Sequence, residues 1–312
     1  MTGAALELGS AAVPGSRPKS RLQGRILDLA AIIGVFALVV GFWYLAAIYY
    51  NLGSLRLHYD DLGQLGYWNH LGFWRQAGAA LNWSTPTLPA PHQVLANLWS
   101  RLDESPSASG NLWVDLGTTG SEAVLGFLLG SAVGIALAFA FVKSRILELS
   151  LFPYVVMSQT VPIVALVPAL VVALGLGLRA KVLIAAYLAF YPVTVSAVKG
   201  LRSINPLAHE LMRSYAAGAW QTYLKLRLPA ALPFIFTGLK IGITASVIGA
   251  IIAELPVGSE FGFGRAIIDA STYGQNILLW ATIAGCGLLG LALYLAVVGT
   301  EKLVVRNRPG EV

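Results

Sequence analysis

Ionisable and hydrogen-bonding side chains are scarce in the long apolar stretches of this chain, so the few found there are where chemistry would have to happen. Glu122 and Glu254 fall inside apolar runs. A carboxylate facing hydrocarbon is costly, so such a residue marks a route, a gate or a tether by default. Two readings fit each of them: a working group inside a bundle, or a carboxylate solvated at the outer headgroup level. Ser158, Gln159 and Thr160 stand just before Pro162. Hydrogen-bonding groups beside a backbone break suit the lining of a polar path, and equally a local network that satisfies itself. The path reading takes Gln159, Thr160 and Pro162 as lining and Glu254 as a gate or helix tether. For an anionic solute, Glu254 has to pair with a base or stand beside the route. His58, His70, His92 and His209 are scattered over predicted loops, so no metal site is expected, and the single cysteine, Cys286, excludes a disulfide scaffold. No Gly-x4-Gly-Lys-Ser/Thr occurs, so this chain has no phosphate cradle and any ATP chemistry belongs to a partner.

The elements that must carry these residues follow from composition. Of 312 residues, 56% are hydrophobic and 12% charged, with a mean hydropathy of +0.70. Soluble domains carry about a quarter charged residues. The excess apolar surface must face lipid, which makes this an all-α polytopic membrane protein. The net charge of +6 reflects topology, since no basic run interleaved with aromatics points to nucleic acid.

Six spans of roughly 20 residues or more are expected: 27–50, 115–142, 149–174, 182–198, 231–256 and 277–304. The first is too long for a signal-peptide core and ends in the interfacial aromatics Trp43, Tyr49 and Tyr50. The third and fourth are interrupted by Pro153, Pro162, Pro168 and Pro192, which neighbouring helices must make tolerable. Lys and Arg concentrate in the 1–26 tail, the 143–145 turn, the 199–227 loop and the 306–312 tail, placing both termini in the cytoplasm. Residues 51–114 form an outer loop in which Val94, Leu95, Leu98, Trp99 and Leu102 make one apolar helical stripe. That stripe suits an interfacial helix or a docking surface for an external protein. The remainder, 115–305, is a five-helix core with a cytoplasmic loop at 200–230. Gly126, Gly130 and Gly134, and likewise Gly238, Gly242 and Ser246, form small-residue stripes read as helix packing.

The loop Glu210–Pro229 is too polar to span and too patterned for a linker. Leu211, Met212, Tyr215, Ala219 and Thr222 recur at helical steps, which fits either a plain interfacial helix or a helix–turn–helix offered to a soluble partner. This loop resembles the "EAA" signature of permease subunits of binding-protein-dependent ABC importers: Glu-Ala-Ala, three residues, Gly, nine residues, Ile-x-Leu-Pro. Glu210 takes the Glu position, Leu211 and Met212 the alanines, Ala216 the usual Gly, and Leu226-Arg227-Leu228-Pro229 the close. With Ala216 where glycine is usual, Gly218 is the residue expected to supply the turn. Leu88–Leu95, Val161–Pro168 with Gly175-Leu-Gly177, Pro229–Lys240, and Ala253-Glu-Leu with Gly258–Gly264 are similar to the nitrate/sulfonate/taurine/bicarbonate branch of that family. The likeness covers roughly residues 86–305, and 51–85 is a longer outer insertion than the branch has.

The resemblance implies a type I importer permease fold in a bacterial inner membrane, without enzymatic activity of its own. It implies a second permease subunit (a homodimer), two cytoplasmic ATPase subunits that hold ATP and Mg, and an extracytoplasmic solute-binding protein. Glu210, Ala216, Gly218, Leu228 and Pro229 would couple to the ATPase. The branch imports small anions, sulfonates and vitamin-precursor or aromatic solutes. A secondary transporter or channel is the rival reading; it needs a buried ion-coupling carboxylate, for which Glu122 and Glu254 are the candidates, and an internal symmetry that the sequence does not display.

Overall fold

A computed structural model describes residues 21–104, 111–175, 177–255 and 259–305, in which helices dominate and no strand occurs among the described residues. The expected 306–312 tail, most of the 1–26 tail and Gly258 of the last family-like stretch lie outside them. Two compact units divide the chain, up to Leu81 and from Asn82 onward.

In the first unit, α1 (Arg21–Asp61) continues well past the expected boundary at Tyr50. One glycine, Gly53, costs a helix only about 1 kcal/mol, and the extension is held by α3 (Phe73–Leu81), where the Asn51 side chain donates to Ala80 O at 3.0 Å. The short α2 (Leu65–His70) brings Trp68 under Tyr59, with the rings stacked at 5.0 Å. Much of what reads as an insertion loop is therefore helical. Ile32, Phe36, Val39 and Phe42 of α1 are exposed, as a lipid-facing helix requires.

The second unit opens with α4 (Pro91–Ser100). Its apolar stripe divides: Val94 is buried, Leu98 and Leu102 pack on the Leu112–Phe263–Leu289 core, and Leu95 and Trp99 stay exposed. There follow α5 (Leu112–Lys143), α6 (Arg145–Ser158), α7 (Ile163–Leu174), α8 (Leu178–Arg202), α9 (Pro206–Ser214) and α10 (Ala219–Thr222). A π-helical turn, Tyr223–Arg227, leads into α11 (Leu228–Glu254), then α12 (Phe263–Thr272) and α13 (Asn276–Val305). Asn111 caps α5 by accepting from the N–H groups of Trp113 and Val114.

Five helical stretches are long and apolar enough to cross a membrane, and α6 with α7 makes six if that pair counts as one span. The expected continuous span at 149–174 is instead bent by 100° between these two helices. Pro162, lacking an N–H, cannot continue α6, and it caps α7 in extended backbone.

Small residues let α5, α8 and α11 meet at the backbone. A Cβ at Gly130 would lie 2.5 Å from Ala186 O, one at Gly134 2.7 Å from Phe190 O, and one at Gly249 2.8 Å from Ala185 Cα. Gly238 and Gly242 are equally confined, and Ser246 Oγ donates to Ala123 O at 2.6 Å. Both stripes are packing surfaces, as read from the sequence. Gly130→Ala should therefore destabilise the purified protein by about 1–3 kcal/mol. Gly117→Ala, with open space around its new methyl, should not. Equal melting temperatures for the two variants would contradict the tight α5–α8 seam.

Candidate functional site

Asp115, Thr119 and Glu122 lie on one stripe of α5, four and then three residues apart. All three are buried, and each takes a partner from a distant element. Arg101, just past α4, is 1% exposed. It pairs with Asp115 Oδ2 at 2.6 Å and donates to Thr282 Oγ1 at 3.1 Å. Lys181 of α8 pairs with Glu122 Oε1 at 2.6 Å.

Between these pairs sits Glu254, at the end of α11 and 1% exposed. Its Oε1 accepts from Thr119 Oγ1 at 2.7 Å, and its Oε2 accepts from the Gly264 N–H at 2.6 Å. The Gly262 N–H donates to Asp115 Oδ1 at 2.9 Å and the Phe263 N–H to Thr119 Oγ1 at 3.0 Å. Three consecutive N–H groups at the start of α12 are thus received by side chains of α5 and α11. Each Glu254 oxygen thus meets a hydrogen-bond donor, which is how a buried carboxyl group with no ion pair among the described residues is tolerated. The arrangement demands glycine. Gly262 has φ +118°, and a Cβ there or at Gly264 would run into Glu254.

Burial removes one of the two sequence readings for both carboxylates, since neither Glu122 nor Glu254 is solvated at a headgroup level. The sequence reading missed Arg101, Asp115, Thr119, Lys181 and Gly262 as members of this cluster. Arg101 and Lys181 look like ordinary loop cations. The spacing of Asp115, Thr119 and Glu122 was the available signal.

The bend between α6 and α7 is separate. Gln159, Thr160 and Pro162 are exposed. Ser158 Oγ donates to Val155 O and Thr160 Oγ1 to Met157 O, each at 2.7 Å. The Tyr187 hydroxyl donates to Ser158 O. The hydroxyls therefore close the last turn of α6, leaving the Gln159 amide as the most available polar group. Among the described residues no hydrogen bond joins this bend to Glu254.

The loop beyond α8 is not one amphipathic helix but two, split at 215–218. Asn205 caps α9 by accepting from the Leu207 N–H at 2.9 Å. The reversal is made by Ala216 itself, at φ +51°, with the Ala216 and Ala217 N–H groups returning to Arg213 O and Met212 O. Gly218 does not supply the turn; it has φ −66° and caps α10. No α9 residue is buried. Glu210 is exposed, and so are Leu207, Leu211, Tyr215 (77%) and Trp220 (73%). Leu228 and Pro229 begin α11, half-buried.

The described helices thus form a bundle with buried ion pairs at one end and a patterned, unburied loop at the other. Residues 130–307, which contain that loop, match the family described as binding-protein-dependent transport system inner membrane component. The chain belongs to this family: it is the multi-pass permease subunit of an ABC importer for small solutes, not an enzyme. It is 33% identical to the riboflavin transport system permease protein of Chloroflexus aurantiacus, over 76% of this chain and 86% of the relative. Its identity to the formylaminopyrimidine transport permease protein of Halalkalibacterium halodurans is 30%, over 70% and 84%. With the Escherichia coli taurine transport system permease protein it is 29%, over 72% and 81%. Buried carboxylates are what the rival secondary-transporter reading asked for, and family membership decides against it.

Proposed function

We propose that this chain forms half of a solute path as a homodimer, with both termini in the cytoplasm, and that the α9–α10 loop seats a cytoplasmic ATPase subunit. The observation that carries the reading is the loop itself. It is ordered by its own caps and turn, buries no α9 residue in the chain, and presents Leu207, Leu211, Tyr215 and Trp220 beside Glu210. Contiguous exposed apolar groups rimmed by polar ones mark protein contacts. Glu210 supplies the charge for that contact; Ala216 makes its turn, Gly218 caps α10 after it, and Leu228 and Pro229 transmit its position to α11. ATP and Mg are held by the partner ATPases, and an extracytoplasmic binding protein delivers the solute.

Gln159 and Thr160, at the break before Pro162, line the path. Glu254 gates it from the opposite side of the membrane to the loop, by holding the start of α12. The solute is a small anion, a sulfonate, or a vitamin-precursor or aromatic compound. Relatives named for riboflavin, formylaminopyrimidine and taurine support that range.

Exchanging Glu210 for lysine should release the ATPase subunit during co-purification and reduce uptake at least ~10-fold, because a reversed charge at a docking surface costs more than 1.4 kcal/mol. Ala216→Gly should retain coupling, since it relieves a left-handed strain of about 1 kcal/mol. Normal uptake by the Glu210→Lys protein, inserted at normal levels, would refute the docking assignment.

A further inference from the structure

A groove of about 730 Å³ opens beside the π-helical turn, and it shares Trp220 and Leu228 with the loop proposed to seat the ATPase. Phe139 and the terminal Lys143 of α5 form one wall; Trp220, Tyr223, Leu224 and Leu228 form the other. The lining is apolar except at one end, where Lys143 stands exposed with no ion pair among the described residues. Behind the aromatic wall the Arg227 guanidinium lies 5.0 Å from the Tyr223 ring, and its buried Nε meets no acceptor. Lys225 is exposed in the same turn. No carboxylate lines the groove.

An apolar slot that ends in cations at the last turn of a membrane helix has the polarity of a phospholipid: hydrocarbon below, phosphate above. We infer that this groove binds one anionic phospholipid, with an acyl chain against Phe139, Leu224 and Leu228 and the phosphate at Lys143. Three observations favour this occupant over a neutral lipid or a protein. Lys143 is the one charged residue of the lining and no acid accompanies it, so that part of the groove is complementary to negative charge, and basic pockets at helix ends are where anionic headgroups settle. Trp220, on the same wall, is largely exposed, and indole rings favour the headgroup boundary. Finally, part of the wall is a π-helical turn, a rare local geometry that is frequent at functional sites. Lys143 also lies well for the α5 dipole, but that role requires no groove.

The test uses Trp220 as its own reporter. The full-length protein in zwitterionic micelles is titrated with dibrominated phosphatidylglycerol or dibrominated phosphatidylcholine. Tryptophan quenching is read as the difference between wild type and Trp220→Phe. Quenching of Trp220 should occur at lower phosphatidylglycerol than phosphatidylcholine. Lys143→Gln should weaken the phosphatidylglycerol response about 5-fold, the worth of one basic contact to an anionic lipid, and leave phosphatidylcholine unchanged, with Lys143→Arg restoring it. Equal quenching by the two lipids, indifferent to Lys143, would overturn the proposal in favour of ordinary lipid contact. Absence of quenching by either lipid, with Trp220 emission responding instead to added ATPase subunit or to dimerisation, would overturn it in favour of a protein-covered groove.

Discussion

Arg101→Met should lower the stability of the purified permease by about 3–5 kcal/mol, the usual penalty for leaving one partner of a buried pair unmatched. The guanidinium is sealed from solvent and held on both sides, by Asp115 and by Thr282. Its removal leaves Asp115 with the Gly262 N–H alone among these contacts. The pair itself need not be stabilising relative to apolar groups of similar size. Arg101→Met combined with Asp115→Leu should therefore recover much of the loss. Full recovery is not expected, because Gly262 would then lose its acceptor, which costs about 1–3 kcal/mol. Arg265–Asp269, at 2.7 Å but exposed, is the matched control, and its loss should cost less than about 1 kcal/mol. Thermal unfolding of the four proteins of the cycle, with Arg265→Met beside them, gives the coupling directly. A melting temperature for Arg101→Met no lower than for Arg265→Met would mean that the cluster does not hold these elements together.

That contrast also shows what a sequence can carry. Apolar length exposes spans, and the cores of α5, α8, α11 and α13 lie where hydrophobicity puts them, within a few residues. Pro162 was legible as a break but not as a 100° bend, because proline fixes only its own φ and removes one donor; the direction of α7 depends on what Val167 packs against, Ile184 and Ala253. Glu254 was legible as unusual, but burial and solvation look alike until the partners are known, and those lie 135 residues away at Thr119 and 10 away at Gly264. Arg101 and Lys181 were hidden for a different reason: a lysine or arginine near a span end is explained by topology alone, so nothing in the sequence marks the two that turn inward. Ala216 illustrates the converse. Propensity assigns a left-handed turn to the nearest glycine, yet the chain reverses at the alanine, where the C-terminal hydrogen bonds of α9 require it.

Glu254→Gln is expected to separate ATP hydrolysis from transport. The carboxylate receives a donor on each oxygen, Thr119 Oγ1 on one and the Gly264 N–H on the other. An amide keeps the shape but turns one acceptor into an NH2 group, so the Thr119 hydroxyl must turn its own hydrogen away and accept from the amide. Its oxygen then accepts twice, from the amide and from the Phe263 N–H, and its hydrogen has to leave the Glu254 contact. The contact that holds the start of α12 then loses the Thr119 O–H bond, and a buried donor left unmet costs about 1–3 kcal/mol. If α12 closes the path on the side away from the ATPases, loosening it by that amount shifts the gate ~10-fold toward opening. The outcome is then sustained ATPase activity with uptake reduced by a similar factor. Gly264→Ala should reproduce it from the opposite partner, because its methyl would stand 2.5 Å from Glu254 Cβ. Gly287→Ala, which has open space, should transport normally. Parallel measurement of uptake, ATPase rate and solute affinity in proteoliposomes distinguishes this from a binding defect, which would change affinity first. Uptake unchanged in both Glu254→Gln and Gly264→Ala would reduce the Glu254 cluster to packing and remove α12 from the gate.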